Sequence, residues 1–381
     1  MIYFDNACTT LRPESVAAAI ADQVRTGAAC HGRSYHRLGR AATDTLARAR
    51  HAVLRLIGAE RPEEVIFVRS ATEGLNMVAR SLGLGPGDVV LTTDQEHNAN
   101  LIPWQRLTRS HRIRHEIMPL GSGFDMAEFR RRLRRGVRLV SVFHTSNLTG
   151  ATLPVAEICH EARRHKSLVL IDGAQSVMTH EIDLASMGAD FFVFSLHKMM
   201  GPTGLGVLWG RAALLERLEP LIVGGDTVTD ATYGDCTFAP LPARLEAGVA
   251  NLDAAAGVEA AVDYLLQLER RHIHSHVVAL NEIATEGLRR IPRVRVLGPP
   301  APAERGAIVN FTMDGVGSHS LARLLDERAG VMVRHGKHCG HAWYNALGVE
   351  ESVRASFAVY NTEAEVEVLL ETVAKVDGML E

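Results

Sequence analysis

The sequence predicts an α/β protein: a large domain on a mostly parallel, mixed sheet covered by helices, followed by a smaller α+β C-terminal domain. Three observations predict it. Short apolar runs alternate with amphipathic segments from about residue 64 to 210, the pattern of strands buried on both faces. A long helical stretch covers about 251–290. Beyond it, strand-like runs follow one another with fewer helices between them, as in an α+β unit. At 381 residues the chain is too long for one small core. Residues 1–255 are expected to form the large domain, with an N-terminal segment that reaches the small domain or the mouth of a site. Residues 256–381 are expected to hold the linking helix and the small domain.

The elements can be justified in turn. "EVIFV" (64–68) leads into a helix from Thr72, and "DVVLTT" (88–93) into "EHNANLIPWQRL". "VRLVSVFH" (137–144) precedes a helix near 154–166, and "SLVLID" (167–172), "DFFVFS" (190–195) and "LGVLWG" (205–210) complete the series. Some connections are too short for a crossover helix, so an antiparallel strand is expected at about 205–209. In the second half, strands are expected at 294–298, 307–313, 331–333 and 353–359, with helices near 319–329 and from 362. "GPPAPAERG" (298–306) reads as a surface loop.

Composition excludes several classes of function. Hydrophobic residues make up 46% and charged residues 22%, with a net charge of −3; that balance gives no bulk attraction to nucleic acid or anionic membrane. The basic run "RRRLRRGVR" (130–138) reads as a solvated helix face. No apolar stretch has the length of a membrane span. The chain opens on "MIYFDNACTT" without a charged-then-apolar leader, which leads us to expect a cytoplasmic protein. Five cysteines at wide spacing, Cys8, Cys30, Cys159, Cys236 and Cys339, suggest neither disulfides nor a zinc knuckle; most are expected to be small buried thiols. "HIHSH" places His272 and His276 on one helix face, read as solvent-facing because no acidic partner is near in sequence.

In an open parallel sheet, ligands bind beyond the carboxyl ends of the strands. "RSATEG" puts Ala71 and Thr72 at a helix start, a site for an anion. The next strand ends supply His97, then Asn147, then Asp172 and Gln175, then Ser195, His197 and Lys198. One rim therefore carries a phosphate site, a ring partner, a carboxylate, amides and a lysine. A lysine amine can bind an aldehyde as a Schiff base, and a carboxylate can keep a pyridine nitrogen protonated. Pyridoxal 5'-phosphate requires both.

From "YFDNACTTLRP" through "FVRSATEGLN", "EHNANLIPWQ", "TSNLTG", "DGAQSV", "FSLHKMMGPTGLG" and "RLEAG" to "VRHGKHCGH" and "VRASFAVYNTEAEVEVL", the chain resembles the class V aminotransferase group of fold-type I pyridoxal-phosphate enzymes. Within that group it resembles the cysteine desulfurases, and most of all the branch that holds SufS and selenocysteine lyase. The resemblance implies that Lys198 binds the cofactor aldehyde, Asp172 partners the ring nitrogen and His97 stacks on the ring. Asn147 lies near the ring and Gln175 near its phenolic oxygen, while Thr72, Ser195 and His197 hold the phosphate beside Ala71. Arg354 would clamp the substrate carboxylate, with Asn147 and His31 also at the substrate, and Cys339 would be the nucleophile. Around it, Arg334, His335, Lys337, His338 and His341 form a cationic cluster expected to favour a thiolate. No metal is expected, although the histidines and Cys339 have the right ligand types for one. The resemblance also implies a homodimer, L-cysteine or a cysteine-derived substrate, and a protein or small-thiol sulfur acceptor.

Three departures concern the pocket. Val249 and Ala250 in "EAGVANLD" replace the Thr-Pro pair whose threonine, in the related desulfurases, reaches the partner subunit's phosphate. Asn98 follows His97 where a second histidine is usual, and Gly340 follows Cys339 where alanine is. The expected activity is conversion of L-cysteine to L-alanine with a persulfide left on Cys339. The alternative is a C–S lyase that eliminates sulfur from cysteine or a cysteine conjugate and has no need of Cys339.

Overall fold

The computed structural model describes residues 1–379 other than 28, 122, 134 and 135. The chain begins with β1 (Ile2–Tyr3), α1 (Glu14–Thr26) and α2 (Arg37–Ile57). The alternating region follows as β2 (Val65–Val68), α3 (Ala71–Ser81), β3 (Val89–Thr93), α4 (Asn98–Ser110), β4 (Arg114–Met118), α5 (Met126–Arg132), β5 (Val137–Phe143), α6 (Val155–Arg164), β6 (Leu168–Asp172), α7 (Leu184–Met187), β7 (Phe191–Ser195), β8 (Gly206–Gly210) and α8 (Ala212–Leu215). Then come a hairpin of β9 (Val228–Ala231) and β10 (Cys236–Phe238), and the helices α9 (Leu252–Gln267) and α10 (Arg270–Arg289). The last part holds β11 (Val294–Leu297), β12 (Ile308–Met313), α11 (Ser318–Ala329), β13 (Val331–Met332), β14 (Arg334–Gly336), α12 (His341–Leu347), β15 (Ser352–Ser356) and α13 (Glu363–Asp377).

Seven strands form one sheet in the order β2-β8-β7-β6-β5-β3-β4. Every neighbouring pair from β7 to β4 is parallel, while β8 runs antiparallel to both β7 and β2, as expected for 205–209. The apolar runs have their cause in this sandwich. Phe192 and Phe194 enter one core and Phe191 and Val193 the other, because successive strand side chains point to opposite faces. Each fully buried Phe contributes about 1.5–3 kcal/mol, so no residue of β7 can be polar until Ser195 at its end.

A second, antiparallel sheet has the order β11-β12-β15-β14. Two expectations about this half are corrected. The helical stretch 251–290 is two helices, interrupted at Leu268 and at Glu269, which has φ of 54°. The first packs on α1 and α2, the second on α13. The run 331–333 is a strand only at Val331–Met332, and it pairs in parallel with β1, outside the four-stranded sheet.

That pairing anchors the N-terminus. Asn6 Nδ2 donates to Ser356 O (2.7 Å) and Asn361 Oδ1 (3.1 Å), and Thr10 N–H donates to His197 O (2.9 Å). Residues 5–10 therefore run between the two sheets. The "RLEAG" segment is fixed likewise: Glu246 accepts both Nη atoms of Arg50 at 2.9 Å and the Phe67 N–H at 2.6 Å.

The helix α5 carries Arg130, Arg131 and Arg132, with Arg131 and Arg132 paired to Glu128 and Arg130 to Glu161; Arg134 and Arg135 of that basic run lie outside the described residues. "HIHSH" does not face solvent as a whole. His276 Nε2 lies 2.9 Å from Asn361 O, and His274 packs at a tilt against His180 with centroids 4.7 Å apart. No helix among the described residues is long and apolar enough to cross a membrane.

Candidate active site

The carboxyl ends of β2, β3, β5, β6 and β7 open on one cavity of about 210 Å³. Ala71, Thr72, His97, Asn147, Asp172, Gln175, Ser195, His197, Lys198, Cys339 and Arg354 all line it. His31 does not. It lines a separate cavity with Arg69, Glu73, Val249 and Ala250.

Lys198 follows β7 in a single short turn and is half-buried at the cavity wall. Desolvation lowers its pKa from the ordinary amine value, the Asp172 carboxylate opposes that, and Arg354 adds to it. Asp172 ends β6, its Oδ1 accepting the Ala174 N–H at 3.0 Å. Burial pushes its carboxyl up, with the Ala174 N–H and Lys198 pulling the other way. A cationic ring nitrogen set against it would supply the positive charge that burial withholds.

His97 is the N-cap of α4, and its Nδ1 accepts the Ala99 N–H at 3.0 Å. Burial, reinforced by Lys198, Arg354 and Arg334, lowers its pKa to about 3. The ring is therefore neutral with its proton on Nε2, suited to stacking on an aromatic ring. Beneath it lies Glu96, which the sequence reading missed. Its carboxyl accepts Thr93 Oγ1 (2.8 Å) and Asn100 Nδ2 (2.7 Å), and burial raises its pKa to about 8. It holds the β3–α4 turn that aims His97.

The α3 N-terminus faces the cavity. Ser70 makes no side-chain cap bond, the Ala71 N–H is taken by Ser195 Oγ at 2.8 Å, and Thr72 is exposed beside it. The start of an 11-residue helix, with its free N–H groups and the positive end of its dipole, favours an anion there. Gln175 Nε2 donates to Ala7 O (2.8 Å) and Asn147 Nδ2 to His338 O (2.7 Å). The donor set thus fits a phosphate, a pyridine nitrogen and an aldehyde together.

Opposite these groups stands Arg354 on β15, only 2% exposed. Its Nη1 donates to Asn147 O at 2.9 Å and Nη2 lies 3.4 Å from Asp5 Oδ1. Its buried Nε has no partner among the described residues, and an unpaired buried donor is a costly group that a ligand carboxylate would satisfy.

Cys339 is held at φ of 59°, after His338 at 46°. Its carbonyl accepts the Asn98 N–H at 2.7 Å. A Cβ on Gly340 would lie 2.6 Å from two Leu148 carbons, so glycine lets this loop seat against the "TSNLTG" turn. The cationic cluster expected around Cys339 is mostly absent. His338 is buried and pushed well below the usual histidine range by desolvation, and its Nε2 meets Ser352 Oγ at 3.0 Å. Lys337 turns to Asn345 (2.8 Å), His335 packs on His319, and His341 meets the Asn98 side chain (3.0 Å). Of the five, Arg334 alone reaches the cavity as a cation. No metal-holding group of His, Cys, Asp and Glu occurs among the described residues.

The cysteines correct a further expectation. Cys159 alone is buried; Cys30 and Cys236 are exposed, and Cys8 and Cys339 are half-buried. Cys8 lines the cavity, with Arg334 Nη1 donating to its Sγ at 2.7 Å. The signal was its place inside the "YFDNACTT" motif.

Residues 2–369 match the family described as aminotransferase class-V. The cysteine desulfurase of Haloferax volcanii is 37% identical over 98% of this chain and 88% of its own length. Among solved structures, the apo cysteine desulfurase of Thermococcus onnurineus superposes with a TM-score of 0.95 at 34% identity, covering 99% of this chain and 95% of the other. The Escherichia coli cysteine desulfurase CsdA does so with a TM-score of 0.91 at 30% identity, covering 99% and 94%.

Proposed function

We propose how this chain, which belongs to the class-V aminotransferase family and is a cysteine desulfurase, divides its reaction among its residues. The residues fit pyridoxal 5'-phosphate: Ala71, Thr72, Ser195 and His197 would hold its phosphate, His97 and Asp172 its ring, and Lys198 its aldehyde. When bound, it supplies the electron sink that loosens bonds at the substrate α-carbon.

The protein's own groups do the rest. Asp172 would keep the ring nitrogen protonated, because a buried carboxylate without a cation is unfavourable. Lys198, its pKa lowered by desolvation, takes and returns a proton at Nζ. Arg354 receives the substrate carboxylate at its Nε, which has no partner among the described residues, and its bond to Asn147 O fixes the plane of the guanidinium. Cys339 Sγ attacks the sulfur of L-cysteine. The carbon–sulfur bond breaks, a persulfide forms on Cys339 and L-alanine leaves. The pinned loop holds the nucleophile close, and a bound nucleophile gains in effective concentration over a free thiol.

The single observation behind this assignment is the convergence of Lys198, Asp172, Arg354 and Cys339 on one cavity. We infer a cytoplasmic homodimer that passes its sulfur to a protein or small-thiol acceptor. The exposed Val249, Ile222 and Tyr35 support a covered face, and the cavity of His31 and Val249 would then adjoin the partner subunit. The deciding experiment incubates the purified holoenzyme with L-cysteine and resolves the products. L-Alanine in step with sulfane sulfur on Cys339 is expected; pyruvate and ammonia would overturn the assignment.

A further inference from the structure

We propose that Cys8 is a second sulfur-carrying residue, which takes the outer sulfur of the Cys339 persulfide inside the active cavity. The inference rests on the desulfurase role of Cys339.

Two thiols, not one, line the cavity. Cys8 arrives on the N-terminal segment, its N–H bound to Asp5 O at 3.0 Å, and Cys339 on the loop after β14. Both are half-buried and both act electrostatically on the Lys198 amine. The remaining cysteines differ in kind. Cys159 is buried on the inner face of α6, its thiol pushed up to about 12 by burial and by Asp190, while Cys30 and Cys236 are exposed and belong to no wall of this cavity.

Arg334 gives the second thiol its chemistry. Its Nη1 donates to Cys8 Sγ at 2.7 Å, and it lies at the start of the strand that runs into the Cys339 loop. A sulfur anion on Cys8 would rest against that guanidinium, and Arg354, whose buried Nε has no partner among the described residues, lines the same space. Two cations thus stand where negative charge moves during sulfur transfer.

The step balances without an oxidant or reductant. Cys8 Sγ attacks the outer sulfur of the Cys339 persulfide, forming a new S–S bond as the bond to Cys339 Sγ breaks. The electron pair leaves on Cys339, which takes up the proton lost by Cys8. The transferred sulfur keeps its oxidation state, and Cys339 is free to attack a second L-cysteine before any acceptor has docked.

The test mixes the holoenzyme with a few equivalents of L-cysteine per protomer and no other thiol, and quenches with alkylating agent in the first turnovers, before free cysteine can remove the persulfide. Alanine per protomer is counted, and sulfane sulfur is located by differential alkylation and peptide mass. We expect two alanines per protomer, with added sulfur on Cys8 and Cys339 and none on Cys30 or Cys236. Cys8→Ser and Cys8→Ala should each fall to one alanine, with sulfur on Cys339 alone. A native protein that stops at one alanine with sulfur only on Cys339 overturns the relay. So does a Cys8–Cys339 disulfide with release of sulfide, which marks attack on the inner sulfur, and so does equal labelling of Cys30 or Cys236. Absence of both alanine and sulfur on Cys339 overturns the desulfurase assignment and the relay with it.

Discussion

Replacing Glu96 with glutamine should remove a pH dependence that the native enzyme carries above pH 6. Glu96 is completely buried and its pKa is raised from 4.5 to about 8, chiefly by desolvation. The folded carboxyl therefore keeps a proton that the unfolded chain has already lost, and unfolding releases it. Stability from this group is complete below about pH 4.5 and declines as pH rises, until the folded pKa near 8 is passed. Linkage at 1.36 kcal/mol per unit puts the loss between pH 6 and pH 8 at about 2 kcal/mol. Glutamine has nearly the same shape and does not titrate, and its amide oxygen can still accept from Thr93 or Asn100. Urea unfolding of both proteins at pH 6, 7 and 8 gives the difference directly, and contributions from other groups cancel in it. The native protein should lose about 2 kcal/mol relative to Glu96→Gln over that interval. Parallel stability curves would refute the argument, because they would mean that Glu96 is ionised in the folded state.

Three other outcomes are expected. Cys339→Ser should still bind L-cysteine through Arg354 yet release alanine slower by orders of magnitude, since a hydroxyl is a far weaker attacker of sulfur than a thiolate; near-native turnover in a product assay would make the loop cysteine incidental. Gly340→Ala should cost about 1–3 kcal/mol through overpacking against Leu148, read by thermal unfolding, and should lower kcat more than it raises KM because the shift moves the nucleophile and leaves Arg354 in place. Arg50→Met leaves the Glu246 carboxylate half-paired in a nearly closed space, a loss of about 3–5 kcal/mol measurable in urea; an unchanged midpoint would show that Phe67 N–H alone suffices for Glu246.

The strands of the large sheet were legible because burial on both faces leaves them no choice but apolar runs, and the strand ends were legible because a parallel sheet gathers its loops on one edge. The N-terminal helices α1 and α2 went unnoticed for a different reason. Much of the buried face of α2 is made of Ala42, Thr45, Ala49 and Ala52, small residues whose weak apolar signal does not stand out against a chain rich in alanine. β4 was missed because, at the sheet edge, His115 and Glu116 interrupt its apolar pattern. The break at Glu269 had no proline or glycine to announce it: a charged residue occupies a left-handed backbone position that a glycine would have marked.

The site shows a sharper division between what sequence order carries and what it does not. Residues brought together by strand ends could be placed from the sequence, since the sheet fixes where each strand stops. Residues adjacent in sequence could not be assumed to share an environment. Five cation-forming neighbours of Cys339 suggested one electropositive pocket, yet the loop passes through two left-handed residues, His338 and Cys339, and that turn sends consecutive side chains different ways. His338 goes inward and loses its charge to desolvation, Lys337 goes outward to Asn345, and His335 goes to the surface histidine His319. The arginines that share the cavity with the nucleophile are Arg334 and Arg354, the latter on a different strand. The same logic brings Cys8 into the site from the far end of the chain: the parallel pairing of β1 with β13 sets its segment beside β14, and a thiol that sequence spacing had set apart from Cys339 comes to share its cavity.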